Sequence, residues 1–92
     1  MSIIELVPDS PLMYKETILG QNILNGEVQQ HVVKGDTWFG CFPAEDTEFS
    51  FVGCTVAPGF DFLDFELGSQ SNLLREFPNA SEIIVKLTKG LP

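Results

Sequence analysis

The chain is poor in positive charge. Five lysines and arginines stand against thirteen acids, for a net charge of −8 over 92 residues. Nucleic acid and anionic lipid are both held through clusters of lysine and arginine, so neither is an expected partner. Histidine is scarcer still, with His31 alone. A catalytic metal site of the imidazole type needs several histidines converging on one ion, and no such set can be assembled. Two cysteines, Cys41 and Cys54, are too few for a disulfide framework. No apolar run reaches membrane-spanning length, and the N-terminus lacks the basic and apolar regions of a secretory signal. A reduced, cytoplasmic protein with no membrane contact is the expectation. Gly-x-Ser-x-Gly is absent, as is any glycine-rich phosphate loop.

Apolar and aromatic residues are plentiful, at 43% and 11% of the chain, which is the composition of a globular protein. The length allows one domain with a modest core. Five of the eight phenylalanines fall between Phe49 and Leu67. That stretch opens as a β-prone run, Phe49 to Val56, of the kind a strand buried on both faces shows. Ala57-Pro58-Gly59 breaks it. Phe60-Asp61-Phe62 then alternates apolar with acidic, and the alternation slips at Leu63, where a bulge or bend would restore Phe65 and Leu67 to the same face. Residues 49–67 are therefore the expected core.

Ahead of it, Ile3 to Val7 reads as a strand, ended by the Pro8-Asp9-Ser10-Pro11 turn, and Leu12 to Leu19 as its return, with Tyr14, Glu16 and Ile18 at one parity. Ile23 and Leu24 look like apolar anchors of a loop punctuated by Gly20 and Gly26. Gln29 to Val33 reads as a short strand. Thr37 to Phe42 reads as another, with residues 37–56 forming a hairpin across the polar connection from Pro43 to Glu48. The period then changes to about 3.6. Gln70 to Phe77 forms one helix, with Ser69 as N-cap, and Pro78 ends it. Asn79 and Glu82 make a capping-box pattern for a second helix. That helix has the stripe Ala80, Ile83, Ile84 and Leu87, a Glu82–Lys86 pair, and Gly90 as the C-terminal glycine.

The run Val52-Gly53-Cys54-Thr55-Val56-Ala57-Pro58-Gly59-Phe60-Asp61-Phe62, followed by Asp64-Phe65-Glu66-Leu67, resembles the closing signature of the cupin-5 family. This is a largely uncharacterised branch of the cupin superfamily of small β-barrels. Leu19-Gly20 with Asn25-Gly26-Glu27, the Val33 to Phe39 stretch, and residues 71–88 resemble other parts of the same pattern. Lys34 stands where the family has proline, and nothing from Met1 to Leu19 matches the family's first cupin motif. The resemblance implies a mainly β, jelly-roll partial barrel with two short C-terminal α-helices. Residues 1–92 would be a single domain covering the C-terminal part of the family's barrel. It also places Phe39 where the superfamily's second motif has a histidine ligand, which leaves the chain with neither metal nor cofactor.

No catalytic residue stands out. Asp61, Asp64 and Glu66 lie close together, but Asp61 alternates with Phe60 and Phe62, which puts it on the solvent side of a strand whose phenylalanines face inward. A hydrogen bond to a nearby backbone turn is its expected use. The residues expected to bind a ligand are Trp38, Phe39, Cys54, Phe60 and Phe62, shaping a pocket for a small apolar or aromatic molecule. The plainer use of such side chains is to fill a small barrel. Two functions of different class follow. One is a non-enzymatic cupin-like binding module. The other, from the fold resemblance of the family to sugar epimerases, is an isomerase or epimerase of a sugar nucleotide, with His31 as base and Tyr14 as proton donor. A barrel wall without its first strands leaves an open edge and an uncovered apolar face. A homodimer formed by strand pairing or exchange would close both, with the hairpin from Ile3 to Leu19 as the crossing element.

Overall fold

The computed structural model describes residues 1–89, and the expected C-terminal glycine Gly90 lies outside the described residues. A three-stranded antiparallel sheet forms the centre: β1 (Ser2–Leu6), β2 (Tyr14–Ile18) and β3 (Phe39–Phe42), in the order β2-β1-β3. Two short helices follow, α1 (Gln70–Glu76) and α2 (Ser81–Leu87), joined by a 3-10 turn at Pro78–Ala80.

β1 and β2 form the hairpin that the Pro8–Pro11 turn sets up, with Leu6 opposite Tyr14 and Ser2 opposite Ile18. The turn closes through the Val7 N–H, which donates to the Met13 carbonyl at 2.9 Å. The other side of β1 is taken by β3, Glu5 facing Phe39 and Ile3 facing Cys41. With a neighbour on each side, all five residues of β1 are buried.

Opposed residues of an antiparallel pair share a face of the sheet. One face thus carries Ser2, Ile4 and Leu6 with Tyr14, Ile18, Gly40 and Phe42. The helices pack here. Leu6 clusters with Leu73, Phe77, Ala80 and Ile84, and Tyr14, Trp38, Leu74 and Ile83 close around them. Helix α2 comes so near β3 that a Cβ on Gly40 would lie 3.0 Å from the Leu87 side chain, so the absence of a side chain at 40 permits the approach. The Lys86 ammonium caps this contact, 3.9 Å from the centre of the Phe42 ring. The expected stripe Ala80, Ile83, Ile84 and Leu87 is the face that packs.

Four sequence expectations need correction. Residues 37–56 do not form a hairpin: β3 pairs with β1, and residues 43–61 contain no strand. Residues 49–67 are not the core of the single chain but an exposed arm. Phe51 is 94% exposed, Phe62 81% and Leu63 92%. Among the described residues the arm pairs with no strand, and the apolar surface of the helices is already taken up by Leu6 and its neighbours. Ile23 and Leu24 sit in a 3-10 turn, Ile23–Asn25, with both side chains in solvent, so they anchor nothing. Gly26 closes that turn at φ 85°, a left-handed conformation suited to glycine. Finally, Asn79 caps no helix. Its side-chain amide donates to the Pro11 carbonyl at 3.1 Å, tying the helical layer to the hairpin turn.

The slip in alternation at Leu63 is a 3-10 turn, Phe62–Asp64. Asp61 accepts a hydrogen bond from the Leu63 N–H at 2.9 Å, the backbone role expected of it.

Candidate functional site: the open face of the sheet

The face of the sheet turned away from the helices carries Ile3 and Glu5 from β1, Lys15 and Thr17 from β2, and Phe39 and Cys41 from β3. A glutamate here is unusual. It stands between Ile4 and Leu6 in the buried central strand and is only 9% exposed. A carboxylate taken from water must be hydrogen-bonded, or its burial costs several kcal/mol on the order of what a lost partner costs. His31 meets that need. Its Nε2 lies 2.6 Å from Glu5 Oε1, a contact both short and sheltered, with side-chain exposures of 17% and 11%. His31 is thus not the half-exposed strand residue its sequence setting suggests, because residues 29–33 form no regular strand. The segment crosses the open face as a strap, and the imidazole fastens it.

An open groove of about 520 Å³ is lined by Met1, Leu19, Gly20, Gln21 and Gln29 and by residues 50–53 of the arm. Its floor is stitched by the N-terminus. The Met1 ammonium donates to the Leu19 carbonyl at 2.9 Å, and the Leu19 N–H donates to the Met1 carbonyl at 2.8 Å. A single parallel bridge, Leu19 to Val28, leads the chain from β2 toward the strap.

The five side chains expected to bind a ligand are spread out in the single chain. Trp38 packs against the helical cluster at the level of Leu6, whose N–H donates to the Trp38 carbonyl at 2.9 Å. Phe39 stands on the open face, 60% exposed. Cys54 lies in the arm as a free, exposed thiol. Phe60 and Phe62 meet each other edge to face at 4.9 Å between ring centres, and Phe65 stands 6.2 Å from Phe60. None of the five lines the groove. The two residues proposed for acid–base work lie on opposite faces: His31 bonds Glu5 on the open face, whereas Tyr14 packs against the helices beside Leu6.

Glu5 was the residue that sequence reasoning passed over. A lone acid at the parity opposite Ile4 and Leu6, in a chain with one histidine, was the available signal. The two are 26 positions apart, so no local pattern joins them. The Cys41 thiol, on the same face, is pushed above its usual range. Although the residue is exposed, loss of water around its sulfur is the main cause and the Cys54 thiol adds to it, while the N-terminal ammonium acts the other way. Among the described residues no three histidine, cysteine, aspartate or glutamate side chains gather to hold a metal ion. The donors of the open face, one imidazole with one carboxylate and a thiol, do not make up the set of several imidazoles that a histidine-based catalytic metal site uses.

A small antiparallel sheet with one sheltered acid–imidazole pair, backed by helices, is compatible with many β-type domains. The family model described as Cupin superfamily (DUF985) matches residues 2–68, which takes in the sheet, the strap and the whole arm. The class is therefore the cupin superfamily. Within it, the chain belongs to the cupin-5 family. No curated protein and no solved structure matches the chain. Among the described residues no helix is long and apolar enough to cross a membrane.

Proposed function

We propose that the protein is a non-enzymatic cupin-like module that works as a homodimer, its two copies paired through residues 49–67. The observation that carries this is surface area. A folded monomer of 10.2 kDa is expected to expose about 5,300 Å², whereas this chain exposes 7500 Å². The excess is about 2,200 Å² per chain, or about 4,400 Å² for two copies, which falls in the range of total area that obligate pairs bury. The radius of gyration, 13.9 Å against an expectation of about 12 Å, points the same way. The arm accounts for it, since Phe49, Phe51, Val56, Phe60, Phe62, Leu63, Phe65 and Leu67 are all more than half exposed. So large an apolar patch is a mark of an interaction surface.

The arm is the crossing element in this reading, in place of the N-terminal hairpin, because β1 and β2 are already bonded into their own sheet. The outer edge of β3 offers unpaired backbone groups to a partner's arm. Pairing would bring Phe60, Phe62 and Cys54 against the open face beside Phe39, enclosing a small apolar or aromatic ligand. Trp38 would anchor the end of β3 that carries Phe39. Neither metal nor cofactor is required. Sedimentation equilibrium at micromolar concentration tests the pairing: a species of twice 10.2 kDa is expected, and a single species at 10.2 kDa overturns it. Stoichiometric zinc, iron or manganese by elemental analysis, lost together with the fold in EDTA, would overturn the metal-free reading.

The His31–Glu5 pair favours a second reading, an isomerase or epimerase acting on a sugar nucleotide, since an imidazole braced by a carboxylate is a usable base. The position of Tyr14 on the other face of the sheet weighs against it. Turnover of nucleotide sugars that disappears in His31→Ala would establish the enzyme in place of the binding module.

A further inference from the structure

We propose that Cys41 and Cys54 form a reversible disulfide within one chain, which clasps the exposed arm to the sheet. Cys41 stands in β3 directly opposite Ile3, on the open face. Residues 50–53 line the groove with Met1 and Leu19, so the arm passes the N-terminal end of β1 immediately before Cys54. The chain also leaves β3 at this end of the sheet, where Phe42 stands opposite Ser2, one residue beyond Cys41. The upward push on the Cys41 thiol, owed first to desolvation and then to the Cys54 thiol, is in keeping with that placement. Both thiols are free and exposed. Between Glu48 and Asp61 the arm forms neither helix nor strand. Its backbone can therefore settle to the Cα separation a disulfide demands, roughly 4.4–6.8 Å, without breaking a ladder.

The oxidant is a low-molecular-weight disulfide such as oxidised glutathione. The thiolate of one cysteine attacks it, forming a mixed disulfide and expelling one glutathione thiolate. The thiolate of the other cysteine then attacks the protein sulfur of that mixed disulfide and expels the second. Two protein S–H groups become one S–S bond. The oxidant is reduced to two thiols, which take up the two protons. In a reducing compartment the clasp stays open and the arm is free to pair. Under oxidation it closes, and the arm is held to its own sheet.

The clasp can form whether or not copies pair, although closing it would withdraw the arm from a partner, and the test separates the two. The full chain at low micromolar concentration is treated with oxidised glutathione, quenched in acid, and analysed by intact mass and peptide mapping. The expected product has the mass of one chain less two hydrogens, contains a linked Cys41–Cys54 peptide, and reverts with dithiothreitol. Chymotryptic cleavage after Phe49 and Phe51 should slow several-fold on closure, because the arm is then held. Cys54→Ser should stop at glutathione on Cys41. A stable adduct carrying glutathione on both cysteines overturns the clasp and leaves the sedimentation result untouched. A Cys41–Cys54 link found only between two chains also overturns it, while supporting pairing through the arm.

Discussion

Truncation of Phe62 distinguishes an arm that waits for a partner from one that is simply solvated. Phe62 is 81% exposed, so about one-fifth of its surface is shielded in the single chain. Deleting a fully buried phenylalanine side chain costs about 3–5 kcal/mol. Scaled to the shielded fifth, Phe62→Ala should cost a monomer about 0.6–1 kcal/mol. Ile84 is the control. It is 1% exposed between α2 and the sheet, and Ile84→Ala should cost about 2–5 kcal/mol whatever the state of assembly. Against a total stability of roughly 5–14 kcal/mol for a chain of this length, that is a large part of the fold. Pairing changes only the first number. If a second copy covers Phe62, the cost of its truncation should rise to about 3 kcal/mol or more at concentrations where the pair is populated, since stability is then linked to protomer concentration. Urea unfolding of both variants, at concentrations well below and well above the midpoint of association, gives the four values needed. A cost near 3 kcal/mol for Phe62→Ala at both concentrations would mean that the arm packs within its own chain. A cost under about 1 kcal/mol at both would mean that no partner covers it.

Three other outcomes follow from the same contacts. Gly40→Val should destabilise the sheet–helix junction by about 1–3 kcal/mol, the usual cost of overpacking, because α2 must back away from β3; Gly40→Ala should cost less, and chemical denaturation ranks the two. His31→Ala leaves the Glu5 carboxylate sheltered without its partner and should cost about 1–3 kcal/mol, whereas the double variant with Glu5→Gln should recover part of that loss in the same assay. The raised pKa of Cys41 keeps its thiol protonated past the ordinary value of 9.0. Its contribution to stability should therefore be complete below about pH 9 and fall as pH rises through the folded value, and its alkylation by iodoacetamide at neutral pH should be slower than that of a free thiol.

What the sequence made legible was whatever is decided by neighbours in the chain. The Pro8–Pro11 turn fixes a hairpin between strands a few residues apart. Pro78 and the spacing of Ile83, Ile84 and Leu87 fix the helices, because a turn of helix is closed by residues four apart. β3 was legible as a strand but not in its pairing, since its partner β1 lies more than thirty residues upstream and Pro43 invites a hairpin that never forms. The acid–imidazole pair was hidden for the same reason. Glu5 and His31 each look ordinary alone, and only the strap brings them to 2.6 Å.

The arm is a different kind of case, in which composition and environment disagree. Phe49 to Leu67 has the residues of a core and the exposure of a surface. Composition measures what a segment gains by burial, not whether its own chain supplies the surface to bury it. Here the helices spend their apolar stripe on Leu6 and its neighbours. The open face of the sheet presents Glu5, Lys15, Thr17 and Cys41 alongside Ile3 and Phe39, too polar a mixture to hold five phenylalanines. A cover for the arm would have to be apolar and bring a strand edge of its own. In the proposed dimer the partner would meet both conditions, its β3 offering the strand edge and its Phe39 and own arm the apolar surface, and two-fold symmetry would let one set of contacts serve both arms. That Asp61, Asp64 and Glu66 punctuate the run does not oppose this. Asp61 turns back on the Leu63 N–H, and the Phe62–Asp64 turn interrupts the alternation, so that beyond it Asp64 and Glu66 can share the side of Asp61 while Phe65 and Leu67 rejoin that of Phe60 and Phe62.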